Sequence, residues 1–137
     1  MKVYLDTSVL LRVLLRQRGA LRDLGRFEAA FSSTILRVEA RRVIDRLRLE
    51  GALDDEGVAG AHGDLAYVEE AIGFVELTPA VLDRAGQPMP TVLRTLDALH
   101  MASALLLREG RGEPVTFATH DTQQRRAATA LGFPCLP

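Results

Sequence analysis

Five short apolar runs, separated by longer helical stretches, constrain the fold of this chain more than any other feature. Val3–Leu5, Ala29–Ser32, Phe74–Leu77, Val115–Ala118 and Phe133–Leu136 have strand length and composition. Between them the apolar spacing turns helical. Thr7 or Ser8 is placed to cap a helix through about Arg16, a second short helix spans Ala20 to Phe27, and Ser33 or Thr34 caps a long one through Glu50, stopped by Gly51. Asp54 to Ile72 reads as helix with interruptions at Gly57, Gly60 and Gly63, and Pro79 opens a short helix ending at Gly86. Pro88 and Pro90 mark a loop. Leu96 to Arg108 is expected to end before Gly110 and Gly112, and Thr122 to Leu131 at Gly132. Apolar strands alternating with helices imply a parallel sheet covered on both faces, so the expected class is α/β. With 137 residues and no repeat, linker or low-complexity segment, one domain over residues 1–137 is expected.

Composition narrows the function classes. No apolar run approaches the roughly 20 residues that span a bilayer, and the N-terminus lacks the features of a signal peptide, so no membrane contact and a cytoplasmic location are expected. Cys135 is the one cysteine, without a partner for a disulfide or a zinc site, and is expected to be a buried, inert thiol. The net charge of −1 gives no bulk hint of nucleic acid. Yet Lys2 is the single lysine among 17 basic residues. The others are arginines, whose planar fork suits phosphate oxygens, although codon bias would give the same count.

Four acids stand out against this background. In open parallel sheets the chemistry lies beyond the carboxyl ends of the strands, and Asp6 and Asp121 each follow a strand end there. Both also precede helices, where an aspartate N-cap is worth about 1 kcal/mol. Thr7, Ser8 and Thr122 are able to do that job, which leaves the aspartates available for another. Glu39 falls on the helical arc of Ile35, Leu36, Val43 and Leu47, opposite Arg37, Arg41 and Arg48. A glutamate on the core-facing stripe is either paired with Arg42 or Arg46 or serves a site. Asp97 is the one charged residue between Leu96 and Leu107 in an otherwise apolar helix carrying His100 and Ser103. Its alternative role is an N-cap, for which Thr95 is a substitute.

Convergence of these four acids would be costly. At about 5 Å and an effective dielectric near 20, each like-charged pair opposes folding by about 3 kcal/mol. Several pairs would rival the whole stability of a domain, about 5–15 kcal/mol. An all-oxygen acidic site is what Mg²⁺ or Mn²⁺ selects, and such an ion supports metal-assisted phosphodiester hydrolysis. His62, His100 and His120 lack the i,i+4 spacing of a helical zinc site, and His120 reads as a surface-loop histidine, with a substrate contact beside Asp121 as the alternative. Glycine-rich nucleotide-binding loops are absent from the sequence.

The segments YLDTSVLLRVLL, SSTILRVEARRV, TLDALHMASALLL and THDTQQRRAATALGF, taken in order, resemble the PIN-domain ribonucleases, in particular the VapC-type toxins of bacterial toxin–antitoxin modules. The likeness covers nearly the whole chain and is weakest from Gly51 to Pro90. It implies a three-layer α/β/α fold with a five-stranded parallel sheet in order 3-2-1-4-5, an acidic Mg²⁺ or Mn²⁺ site, cleavage of single-stranded RNA, a homodimer and a cognate VapB-type antitoxin. By that resemblance Asp6, Asp97 and Asp121 hold the metal, and Glu39 orients the attacking water or acts as an outer ligand. Ser8 and Thr119 match the residues that support the acids. Arg94 matches an arginine that faces substrate or antitoxin, and Arg12 and Arg125 join it as expected RNA contacts around the rim. Thr122-Gln123-Gln124 offers no counterpart to the additional acid of some members, which weighs against a tightly held second metal. Two other readings compete: phosphoryl transfer through an aspartyl phosphate, poorly served by Lys2 before the first strand, and an inactive PIN-like module that binds RNA or a partner.

Overall fold

A computed structural model describes residues 1–18 and 24–136 of the chain. The first strand, β1 (Lys2–Leu5), shows how the core divides. Successive side chains on a strand point to opposite faces, so Val3 and Leu5 enter one apolar cluster with Val9, Leu10, Leu36 and Val68, while Tyr4 enters another with Met101, Leu105, Phe117 and Ala127. All three strand residues are fully buried. A strand buried on both faces belongs at the centre of a sheet.

β2 (Ala29–Ser33), β3 (Gly73–Val75), β4 (Thr116–Ala118) and β5 (Cys135–Leu136) complete that sheet. Their order is β3-β2-β1-β4-β5, and every pairing is parallel. The chain runs outward from β1 to one edge, returns and runs to the other, which puts the topological switch between β1 and β4. Six α-helices flank the sheet: α1 (Thr7–Leu14), α2 (Ile35–Leu49), α3 (Asp55–Ala71), α4 (Pro79–Ala85), α5 (Thr95–Arg111) and α6 (Thr122–Ala130). Among the described residues none is long and apolar enough to cross a membrane. The α/β class and the strand order agree with the sequence reading.

Several boundaries differ from expectation, each for a local reason. Asp6, not Thr7 or Ser8, caps α1, and Asp121, not Thr122, caps α6, because each carboxylate accepts the N–H three residues on. Arg94 occupies the N-cap position of α5 in place of Thr95, without a side-chain cap bond. α1 ends at Leu14, two residues short of Arg16, which has a positive φ. The expected helix Ala20–Phe27 lies partly outside the described residues, and Leu24–Arg26 forms a single 3₁₀ turn. α3 runs unbroken through its glycines, since Asp54 caps it and Ala61, Leu65 and Val68 anchor one face. β3 starts at Gly73 and stops at Val75, short of Leu77. Cys135 is half-buried rather than fully enclosed.

Gly73 is needed where it stands. A Cβ there would lie 2.8 Å from the Phe31 ring, which is itself covered by the Arg111 guanidinium. Gly73→Ala is expected to destabilise the fold by about 1–3 kcal/mol through overpacking, checked by urea denaturation of the variant against the parent chain.

Candidate active site

Asp6 follows directly on β1 and is 4% exposed. Its backbone N–H continues the sheet by donating to the Ala118 carbonyl at 3.1 Å. The side chain is held by donors on both oxygens. Oδ1 accepts the Ser8 hydroxyl and the Val9 N–H, and Oδ2 accepts the Thr119 hydroxyl. Ser8 Oγ in turn accepts the His120 N–H at 3.1 Å, and Thr119 Oγ1 accepts the Asp121 N–H at 3.0 Å. The turn after β4 is thus stitched to the β1–α1 junction by side chains that also grip Asp6.

Asp121 is exposed and accepts the Gln124 N–H at 2.7 Å as the cap of α6. Capping and membership of the rim are not alternatives here, because one carboxylate oxygen is enough for the cap. Gln124, fully buried on α6, donates from Nε2 to the Asp97 carbonyl at 3.0 Å and so ties the first turns of α5 and α6 together. Asp97 itself is half-buried, and its carboxylate accepts no hydrogen bond among the described residues. Burial raises its pKa from the ordinary aspartate value, reinforced by the charges of Asp121 and Asp6 and, more weakly, Glu39, with His100 opposing.

Glu39 reaches the same place from α2. Arg42 pairs with Asp45 and Arg46 with Glu50, so neither neutralises Glu39. Instead Oε1 accepts the Thr7 hydroxyl at 2.8 Å and lies 2.8 Å from His100 Nε2. His100 Nδ1 is 2.8 Å from the Tyr4 hydroxyl. All four acids, with Thr7, Ser8 and His100, line one cavity of about 230 Å³ whose apolar wall is Leu11 and Val43. Larger hollows of about 410 and 470 Å³ lie against α3 and contain none of these acids, so size alone does not locate the chemistry.

A second cavity of about 370 Å³ shares Ser8, Leu11, Val43 and Asp121 with the first and adds Arg12, Arg46 and His120. The Arg12 guanidinium makes no hydrogen bond or ion pair among the described residues. His120 is half-buried, and its pKa is lowered by burial and by the charges of Arg12 and Arg125, against Asp6. Both effects favour its neutral form, and Nε2 is buried and unpartnered among the described residues. The acidic cavity thus opens onto a basic annex. Arg125 donates to the Thr119 carbonyl at 2.8 Å and so braces the rim. Arg94 is exposed at the head of α5 and lines neither cavity.

The sequence reading missed Tyr4, Thr7, His100 and Gln124. His100 carried a signal, since it lies three residues after Asp97 and therefore on the same helical face. Gln124 carried a fainter one, sharing its face with Ala127 and Ala128. Among the described residues no three His, Cys, Asp or Glu side chains form a ready-made metal cage. The donor set still fits a hard cation. Mg²⁺ is commonly held by one or two carboxylates, with water and substrate phosphate supplying the remaining oxygens, and Asp97 presents, among other acids, a carboxylate that accepts no hydrogen bond from the described residues.

The chain belongs to the PIN-domain family, whose model it matches over residues 3–130. Divalent-metal dependence is general in that family. Two ribonucleases of Mycobacterium tuberculosis are similar along nearly their whole length. Ribonuclease VapC46 of strain ATCC 25618 / H37Rv is 35% identical over 135 aligned positions, spanning 96% of this chain and 93% of that protein. Ribonuclease VapC47 of strain CDC 1551 / Oshkosh is 28% identical over 138 positions, with the same coverage.

The raised pKa of Asp97 gives a stability prediction whose sign is fixed by linkage. Between the unfolded and folded pKa values the native state binds more protons, so this residue's contribution to stability falls as pH rises through that window. Asp97→Asn should therefore raise the melting temperature of the metal-free protein by a few degrees at pH 7. At pH 4 the gain should shrink. Thermal unfolding in a chelator at the two pH values measures both.

Proposed function

We propose that this chain is a metal-dependent endoribonuclease that hydrolyses phosphodiester bonds of single-stranded RNA as the toxin of a VapBC-type toxin–antitoxin pair. Asp97 carries the reading: a carboxylate without a hydrogen-bond donor among the described residues, set among three more acids, calls for a cation. Asp6, Asp97 and Asp121 would hold Mg²⁺ or Mn²⁺. A divalent ion bound there supplies Lewis-acid polarisation of the scissile phosphate and makes water more acidic.

The remaining work falls to the chain's own groups. Glu39 Oε2, which has no protein partner among the described residues, accepts a proton of the attacking water as the water oxygen bonds to phosphorus and the P–O bond to the leaving nucleotide breaks, the departing oxygen taking a proton from solvent. Ser8 and Thr119 fix both oxygens of Asp6 so that it does not turn away from the cavity. Arg12 and Arg46, with His120, receive a neighbouring phosphate of the same strand, and Arg94 and Arg125 contribute positive charge nearer the edge. The partners in this reading are RNA, a VapB-type antitoxin and a second copy of the chain.

Asp6→Asn or Asp97→Asn should reduce Mg²⁺- or Mn²⁺-dependent cleavage of single-stranded RNA to background while the fold, followed by circular dichroism, is kept. Undiminished cleavage in EDTA would reject the proposal. An inactive binding module would instead show no cleavage in the parent chain and no thermal shift on metal titration. Arg12→Gln should weaken RNA binding and make the slope of log affinity against log salt shallower by about 0.7, the value of one lost single-strand phosphate contact. Fluorescence anisotropy across a salt series reads that slope.

A further inference from the structure

Resting on the reading of Glu39 just given, we propose that His100 is a positioning residue: it pins Glu39 Oε1 and leaves Oε2 as the oxygen that meets the attacking water. His100 is 2% exposed, with Nε2 at 2.8 Å from Glu39 Oε1 and 3.0 Å from Thr7 Oγ1. Thr7 spends its single hydroxyl hydrogen on the same Oε1 at 2.8 Å. Both Nε2 contacts are therefore made only when Nε2 carries a hydrogen.

The other nitrogen settles the tautomer. Nδ1 faces the Tyr4 hydroxyl at 2.8 Å. The neighbouring Ser32 and Ser103 hydroxyls, which also lie against the phenol oxygen, donate to the carbonyls of Leu5 and Leu99, each at 2.7 Å. A phenol holds its proton at neutral pH, and in the proposed tautomer it gives that proton to Nδ1. Tyr4 is itself immobilised, stacked on Phe117 at 5.4 Å and edge-on to His100 at 5.9 Å. A rigid aromatic core thus selects the Nε2–H form of His100, in the manner of outer-shell partners that orient working side chains.

Two donors then converge on one carboxylate oxygen. Turning the Glu39 carboxylate away would break both bonds, so Oε1 stays with Thr7 and His100 and Oε2 is the oxygen left without a protein partner among the described residues. A purely structural clamp between α2 and α5 would need no particular oxygen left vacant and no particular tautomer.

The test uses the full chain. In metal-free protein at neutral pH, long-range ¹⁵N–¹H NMR should show hydrogen on His100 Nε2 and none on Nδ1, and Tyr4→Phe should abolish that exclusivity. A proton on Nδ1 in the parent chain overturns the proposal. In Mg²⁺-dependent cleavage of a short single-stranded RNA, His100→Leu should lower kcat about 10–100-fold with little change in KM. His100→Gln, whose amide N–H reaches the place of Nε2, should recover most of the loss. Unchanged kcat in His100→Leu, or no recovery with glutamine, overturns it. Where the leucine variant does not fold, the glutamine and Tyr4→Phe variants decide, since parent-like kcat in Tyr4→Phe is equally fatal. Glu39→Gln separates the two layers: parent-like cleavage there brings down the role of Glu39, whereas an inactive Glu39→Gln beside a fully active His100→Leu brings down the positioning role alone.

Discussion

The grip on Asp6 is the interaction on which the rest of this structure depends. A carboxylate 4% exposed at the end of the central strand is costly unless its lone pairs are met. Here two hydroxyls and a backbone N–H meet them, and the same hydroxyls accept N–H groups from the turn after β4. One desolvated charge therefore organises the junctions of β1 with α1 and of β4 with α6. The sheet carries these junctions to one rim, and the acids of α2 and α5 come to the same rim because their helices pack on opposite faces.

Hydrogen bonding divides the acids into two kinds. Asp6, Glu39 and Asp121 each have an identified donor, whereas Asp97 has none among the described residues. A group of like charges in which one member is left unsatisfied stores electrostatic free energy in the native state. That energy is released by a proton or a cation. Gln124 bridges α5 and α6 at one border of the site: without that amide, repulsion between Asp97 and Asp121 would be free to push the first turns of the two helices apart.

Much of the fold was legible because the strands are short, apolar and bounded by helical periodicity. Val3, Tyr4 and Leu5 announce a central strand without any knowledge of their partners. The topological rule then places Asp6 and Asp121 on one rim. Boundaries were less legible, since capping is a competition among adjacent side chains. Asp6 and Thr7 are equally good caps on paper, and the contest is decided by Thr7 turning toward Glu39, a residue 32 positions away in the chain. The glycines of α3 misled for a related reason: their helical cost of about 1 kcal/mol each is outweighed by burial of Ala61, Leu65 and Val68. His100 and Gln124 were hidden because a buried polar residue declares itself only through partners that tertiary structure supplies.

The acidic cavity and the basic annex share a wall while the whole molecule carries a formal charge of only −1. The electric field of such an arrangement is that of a local dipole, not of a monopole. At physiological ionic strength it fades within about 8 Å of the surface. A polyanion approaching this protein gains little speed from attraction at a distance, but once at the cleft it feels a torque that sets its direction along the groove. Selectivity would then arise after encounter, in the alignment of the strand, and not in the rate of capture.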